Sequence, residues 1–437
     1  MKLFLSIVIL LLAFTGKAQL VISGIITSAE DHDSIPKVAV FFKDNPNQLV
    51  LSSDTGTFHI PFNGEVGSKL VFRHPGYKSY TKEITKKNLK RIYKDTIYLR
   101  IKLEALSLKT FVVSSVYRPD TVFGSTQISI SDYELEGDKY VFLAYDQTLK
   151  KGSKIVYADK KNKIIASYFI PDRAERLFRD YQGKLSVICK SKVYRIIINK
   201  DNINLIPWES ELFYEHVKPI IDSIGTKYYY SNFNEAVPAF EYKVYNLEDS
   251  STVELAKLED EFIMELYRAQ YKYLDGADKL MFVRKEQETG IDKEIWAGAT
   301  YFTGSAYYEP LYAPLFKRNN KIIVFDHYSD MLYKYNAKNE CYDSTVIYHH
   351  KIQGKTDWQQ ELIQDEKTEE IYTVFRKGPY QYLSKINTEN GELRDLKKLY
   401  YKYVENIKII DGFAYYIYRP FESSQKKFLY KERIDVD

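Results

Sequence analysis

Beyond residue 19 the apolar positions fall in short runs of four to eight residues, separated by turns rich in Gly, Asn, Asp and Pro. The stretch Leu315 to Ile347, LFKRNNKIIVFDHYSDMLYKYNAKNECYDSTVI, shows the pattern plainly. A short apolar piece leads to an Asn-rich turn, then to the apolar run Ile322 to Phe325, a second turn, the alternating run Met331 to Tyr335, a third turn and Thr345 to Ile347. Runs of this length and alternation predict a meander of antiparallel strands. The same unit recurs. Strongly apolar strands are expected to begin near Lys139, Lys184, Lys227, Lys279, Lys321, Ile371 and Phe413, at spacings of 42–52 residues. Partner strands follow at Lys154–Tyr157, Val193–Ile196, Glu241–Tyr245, Leu332–Tyr335, Tyr382–Ile386 and Phe428–Lys431. A repeat of about 40–50 residues with several strands predicts a β-propeller.

The fourth unit breaks the pattern. Asp260 to Leu274 carries Phe262, Ile263, Leu266 and Ala269 at helical spacing, with Glu259 and Asp260 suited to a helix N-terminus. If about 259–309 is an insertion the ring has six blades; if it is a degenerate blade the ring has seven. The last unit ends near Ile434 without room for an outer strand, so Thr121 to Ile130 is the expected donor that closes the ring and removes a sheet edge.

Residues 19–116 read differently. Short strands are expected at Leu20–Ile26, Val38–Phe42, Leu49–Ser52, Phe58–Ile60, Lys69–Arg73, Tyr77–Ile84, Asp95–Leu103 and Thr110–Val113, with Gly/Pro/Asp turns between them. That pattern predicts an antiparallel sandwich. The order Gly24-x-Ile26, Pro36-x-Val38-x-Val40, Ser53-Asp54-Thr55-Gly56-Thr57-Phe58-x-Ile60, Leu70-Val71-Phe72 and Gly76-Tyr77, with the tail Leu108 to Val113, resembles the carboxypeptidase-regulatory-like domain. The resemblance implies a seven-stranded transthyretin-like sandwich, non-catalytic, serving as an adapter or folding module. Gly56 and Gly76 are expected at positive φ. Residues 310–434 also resemble six-bladed propellers of exported bacterial proteins. The expected fold is therefore all-β, a sandwich followed by a propeller over 117–437.

The first 18 residues read as an export signal. Lys2 precedes the twelve-residue apolar run Leu3 to Phe14, and Gly16 and Ala18 suit a cut before Gln19. Twelve residues are short for a hydrocarbon layer of about 30 Å. No second long apolar run follows, so no transmembrane segment is expected in the mature chain, which is placed in the periplasm or at the cell surface.

Composition adds three points. Tyrosine is abundant, 40 copies beside 24 Phe, which favours strands. The formal charge of +4 falls to +2 once Lys2 and Lys17 leave with the leader, so nothing points to nucleic acid. The basic run Lys86 to Arg91 is read as a solvated turn face. Cys189, in an apolar run, and Cys341, in a turn, are expected to be free thiols.

Chemistry is sparse. The chain has no G-x-S-x-G elbow, H-E-x-x-H helix or P-loop, and no cofactor motif. His349 and His350 are adjacent, and in a strand their rings would face opposite sides. His216 and His327 read as isolated, and Asp326-His327 as a blade-edge hydrogen bond. Asp31-His32-Asp33 reads as a solvated loop, His59 and His74 as packing or turn residues. No catalytic residue and no metal ligand is expected. The suggestive segment is Trp296 to Phe316, which gathers Trp296, Tyr301, Tyr307, Tyr308 and Tyr312. Loop aromatics can form platforms for sugars or peptide side chains. The expected function is a non-catalytic binding or scaffold protein of the bacterial envelope, taking a carbohydrate, peptide or envelope protein. The alternatives are a propeller hydrolase or lyase on polysaccharide or peptide, and an accessory subunit of an outer-membrane transporter.

Overall fold

The computed structural model describes residues 20–63, 65–90, 92–105, 118–231, 239–302, 312–352, 357–420 and 426–434, the side chains at 46, 47, 239, 240 and 395 aside. The expected leader, the closing segment Thr110–Val113, and Tyr307 and Tyr308 lie outside the described residues. The chain forms two compact units, Met1–Lys109 and Thr110–Asp437.

The first unit is a sandwich of two sheets. One has the order Thr57–Phe62, Leu20–Ser28, Thr96–Leu103; the other Asn45–Leu51, Ala39–Phe42, Lys69–His74, Tyr77–Glu83. Alternate residues point inward, so Ile22, Ile26, Val40, Phe58, Ile60, Leu70, Phe72, Ile97 and Ile101 share one core. Gly24 is required there, since a Cβ would sit 2.3 Å from the Leu99 carbonyl oxygen. Two expectations are corrected. Leu20–Ser28 runs parallel to Thr96–Leu103, so the sandwich is not wholly antiparallel. Alternation marks which residues face the core and is silent on which strand lies alongside. Gly56 has φ of 71°, as expected, but Gly76 is not at positive φ. Its turn is held instead by the Gly76 N–H donating to His74 Nδ1 at 3.1 Å. The basic run opens as an exposed helical turn, Lys86–Leu89, capped by Thr85 and Asn88.

The second unit is a propeller of six four-stranded antiparallel blades among the described residues. Blades 1 to 5 run, innermost strand first, from Ser129–Glu136, Ala174–Arg179, Ile220–Ile224, Leu315–Arg318 and Asp357–Gln364. Blade 6 orders Glu405–Ile410, Phe413–Tyr418, Phe428–Arg433 and Asp120–Phe123. Innermost strands touch between blades 1 and 2, 3 and 4, and 5 and 6, which sets them around the axis. The second strand is packed on both faces in every blade but the third, where Lys227–Ser231 is only partly buried. That is why Leu185–Cys189 is buried throughout, and why these strands read as nearly continuous apolar runs. Six tyrosines (Tyr133, Tyr229, Tyr242, Tyr267, Tyr372, Tyr416) are among the largest fully buried side chains.

The ring closes as the missing outer strand required, but with a shorter donor. Asp120–Phe123 pairs with Phe428–Arg433, Phe123 facing Leu429. The donor stops at Gly124, where a Cβ would fall 2.7 Å from the Phe428 ring, and Ser129 already begins blade 1.

Blade count is settled by a correction. The run at Lys279, expected as a strand, lies in the helix Gly276–Thr289. Asp275 caps it by accepting the Asp278 N–H, and Gly290 ends it at φ 72°. With Glu261–Tyr273, capped by Asp260, and Lys293–Phe302, it makes a three-helix insertion between blades 3 and 4. Met264, Tyr267, Ile295 and Ala299 form the insertion's own small core.

The two faces of the propeller differ. Hairpins joining first to second strands, and third to fourth, lie on one face. Five of them are short turns in which an Asp or Asn side chain accepts backbone N–H groups just ahead of it: Asp159, Asp180, Asn336, Asp365 and Asn387. Residues 162, 183, 339, 369 and 391 in these turns have positive φ. Second-to-third-strand loops and blade-to-blade links lie on the opposite face, and the helical insertion leaves and re-enters there.

Candidate functional site

That loop-bearing face holds a convergence of side chains from blades 4 and 5. His327 follows the second strand of blade 4, Lys321–Asp326. His349 and His350 sit on a single 3-10 turn, His349–Lys351, in the link from blade 4 to blade 5. One nitrogen from each ring lies within 4.8 Å of the others. This overturns two expectations. His327 is not isolated, and His349 and His350 are not in a strand, so their rings do not diverge. On a 3-10 turn neighbouring side chains are about 120° apart, close enough to converge.

The rings are held from outside. Asp326 Oδ1 accepts the N–H groups of Tyr328 and Ser329 at 2.9 and 3.0 Å, and its Oδ2 accepts the Ser329 hydroxyl. This shapes the loop that presents His327. The Asp326-His327 pair is thus a loop device, much as the blade-edge reading expected. His327 Nδ1 lies 2.7 Å from the Tyr312 carbonyl oxygen. A carbonyl can only accept, so Nδ1 carries the proton and Nε2 presents a lone pair in the neutral ring. His350 Nε2 lies 2.9 Å from Asp330 Oδ1, and Lys351 Nζ bonds the same carboxylate at 2.6 Å. His327 Nε2 and His349 Nε2 are 3.0 Å apart. Trp358 packs on the group, its ring 4.8 Å from that of His327 and 5.6 Å from that of His349. Tyr312 stacks on His327 at 5.4 Å.

The cluster is dry. His349 is 1% exposed and His327 7%. Burial lowers His327 to about 3, against a partial offset from the Tyr312 carbonyl. Burial, with His327 and His350 alongside, holds His349 well below the usual histidine range. Both rings are therefore neutral at ordinary pH. His349 Nδ1 and His350 Nδ1 are buried without a hydrogen-bond partner. Each such nitrogen costs about 1–3 kcal/mol when nothing meets it. Three clustered imidazole rings are a donor set suited to a transition-metal ion.

The expected aromatic platform is divided. Trp296 and Tyr301 lie on the helix Lys293–Phe302 rather than on a loop. Trp296 Nε1 donates to Thr289 Oγ1 at 2.9 Å, and the Tyr301 hydroxyl to Asp278 Oδ2 at 3.3 Å, so both are tied into the insertion. Tyr312 joins the histidines, its hydroxyl accepting the Leu362 N–H at 2.6 Å.

Carboxylates also gather along the inner strands, and two of them are matched across blades. Asp132 accepts the Leu177 N–H at 2.7 Å and Asn406 Nδ2 at 2.6 Å; Glu134 pairs with Arg179 at 3.0 Å and Lys408 at 2.6 Å. These bonds join blades 1, 2 and 6 and read as structural. A concavity of about 780 Å³ beside blade 2 is lined in part by Tyr181, Arg195 and Trp208. There Arg195 stacks on Trp208 at 4.7 Å and bonds Asp180 at 3.1 Å. Elsewhere His59 bonds Ser23 at 2.8 Å, consistent with a packing role. Cys189 and Cys341 are both free.

No protein-family model matches the chain, and no curated protein matches it. Among solved structures it is similar to a prolyl endopeptidase, at TM-score 0.33 and 8% identity, over 84% of this chain and 48% of that one. The chain thus spans about half the length of that enzyme. It is similar to the virginiamycin B lyase of Staphylococcus aureus, at TM-score 0.28 and 9% identity, over 91% and 96%. It is also similar to the Swd1 β-propeller domain of Myceliophteria thermophila, at TM-score 0.35 and 8% identity, over 70% and 97%. Likenesses this distant carry nothing about activity or ligand. The propeller rests on its own six sheets.

Proposed function

We propose that the chain is an exported binding protein of the cell envelope that takes a carbohydrate, peptide or protein ligand on the loop-bearing face of its propeller. The observation that carries this reading is the asymmetry of the two faces. One is closed by short Asx turns that spend their polar groups on their own backbone. The other carries the helical insertion, the blade links and the only group of three or more candidate metal-ligating side chains among the described residues. Rigid blades presenting variable loops at one end is how many scaffolds carry a site. The leader-like residues 1–18 support export, and the carboxypeptidase-regulatory-like pattern of the first unit supports an adapter role for it.

The test is a glycan and peptide array probed with the chain from Gln19 to Asp437, reading bound ligand and its turnover together. Saturable binding of intact ligand, weakened by substitutions on the loop-bearing face and not by substitutions in the Asx turns, is the expected result. Binding lost only through the opposite face overturns the assignment. Cleaved ligand replaces the binder with a hydrolase or lyase.

A further inference from the structure

We propose that His327, His349 and His350 together bind one zinc ion, and that this ion is an anchor point for the ligand on the loop-bearing face; the second half of this rests on the binding reading above. A tetrahedral zinc with Zn–N bonds of about 2.0–2.1 Å separates its ligand nitrogens by about 3.3 Å. His327 Nε2 and His349 Nε2 stand 3.0 Å apart, and one nitrogen from each of the three rings lies within 4.8 Å of the others. Small ring rotations bring the three to a common centre.

The outer hydrogen bonds fit the same centre. His327 gives its Nδ1–H to a backbone carbonyl and His350 its Nε2–H to Asp330. Metal-bound histidines are oriented in this way, by a carbonyl or carboxylate on the far nitrogen. What remains to face the ion is His327 Nε2 and the partnerless His350 Nδ1. His349 has either nitrogen to offer: Nε2, set against His327, or the partnerless Nδ1. Without an ion, the His327–His349 contact is a single hydrogen bond between two neutral rings, and two buried nitrogens stay unmet. All-nitrogen donors favour zinc and its neighbours over magnesium or calcium, which take oxygen. Three protein ligands leave one position of the tetrahedron for water or for a donor atom of the bound ligand, as in zinc sites that act on a substrate.

The test uses untagged protein spanning Gln19 to Asp437, stripped with chelator and titrated with zinc by calorimetry, then with cobalt(II) followed by visible absorption. The expected results are one equivalent per chain, a tetrahedral cobalt spectrum, and a higher melting temperature with zinc. His349→Ala abolishes the cobalt spectrum. Should His349→Ala fail to fold, Asp330→Asn, which keeps the side chain's size, serves instead. It is expected to weaken zinc binding about 10–100-fold, the range for groups that orient a metal-bound histidine. Folded wild-type protein that takes up no stoichiometric zinc overturns the inference, as does zinc binding unchanged by both variants. Repeating the ligand array on chelator-treated protein separates the two readings. Ligand binding that survives without the ion leaves the binder standing and removes the anchor. Zinc bound with no array ligand leaves the site standing and removes the binder.

Discussion

Asp365 offers a sharp test of how the propeller is held together. It is fully buried in the turn between the first two strands of blade 5. Its Oδ1 accepts the N–H groups of Lys367 at 2.8 Å, Thr368 at 3.0 Å and Asp411 at 3.0 Å, and its Oδ2 that of Gly412 at 2.7 Å. Lys367 and Thr368 belong to its own turn; Asp411 and Gly412 belong to blade 6. The carboxylate therefore ties two blades. Lys367 and Thr368 are exposed and can turn to water after Asp365→Ala. The two inter-blade bonds are to a charged group, each about 1.5–3 kcal/mol, so the expected loss is about 3–6 kcal/mol. Asp365→Asn keeps the shape but sets an amide donor against one backbone N–H, for an expected loss of about 1–3 kcal/mol. Urea unfolding followed by tryptophan fluorescence reads this unit alone, because all three tryptophans, Trp208, Trp296 and Trp358, lie in it. With an m-value of about 3 kcal/mol/M, the alanine variant shifts the midpoint down by about 1–2 M.

The same residue predicts a pH dependence. Burial by itself raises the Asp365 carboxyl, and the backbone donors from Gly412, Thr368, Lys367 and Asp411 more than offset it, leaving it below its ordinary value. Its contribution is thus present above the unfolded value of about 3.9 and is lost as pH falls through the lower folded one. The gap between wild type and Asp365→Asn should narrow below about pH 4. A midpoint unchanged by Asp365→Ala, or a gap that widens in acid, would refute the inter-blade role.

Phe123→Ala removes a buried ring that packs on Phe142 at 4.6 Å in the closing strand; a loss of about 3–5 kcal/mol is expected in the same urea assay, and a loss under about 1 would show that the short closing strand does not hold the ring. Gly298→Ala puts a Cβ 1.9 Å from the Tyr267 ring, so the helical insertion should melt before the blades, seen as early loss of helical circular dichroism and a separate early fluorescence step from Trp296 ahead of the main transition; a single unchanged transition counts against it. Burial, followed by the charges of Asp172 and Glu175, pushes the Cys189 thiol up to about 12, whereas Cys341 is exposed. Alkylation of native protein should label one thiol and of denatured protein two, and rapid double labelling of the native state would contradict this packing.

The blades were legible in the sequence because their cause is local. A strand between two others is buried on both faces, so Val141–Ala144, Leu185–Cys189 and Ile371–Phe375 announce themselves as apolar runs broken at most by one small hydroxyl residue. The Asp260 cap was legible for the same reason, being a bond between residues three apart. The run at Lys279 misled because a short apolar segment suits a strand or a helix equally, and the deciding groups, Asp275 and Gly290, stand outside it. The unpaired edge of blade 6 pointed to an N-terminal donor, but only the packing of Gly124 against Phe428 set where that strand stops.

The candidate site was not legible, and the aromatic segment read in its place is divided. His327 stands 22 residues from His349 and is joined to it by the pitch of a blade, the reach of one inter-blade link and the wall of Trp358. The one sequence signal was two adjacent histidines, and it inverts with local structure: in a strand they diverge, on a 3-10 turn they converge. Periodicity follows from each residue's choice between water and core, which the chain carries position by position. The meeting of three rings depends on the angles between elements that are distant in sequence, and those exist only once the propeller has closed.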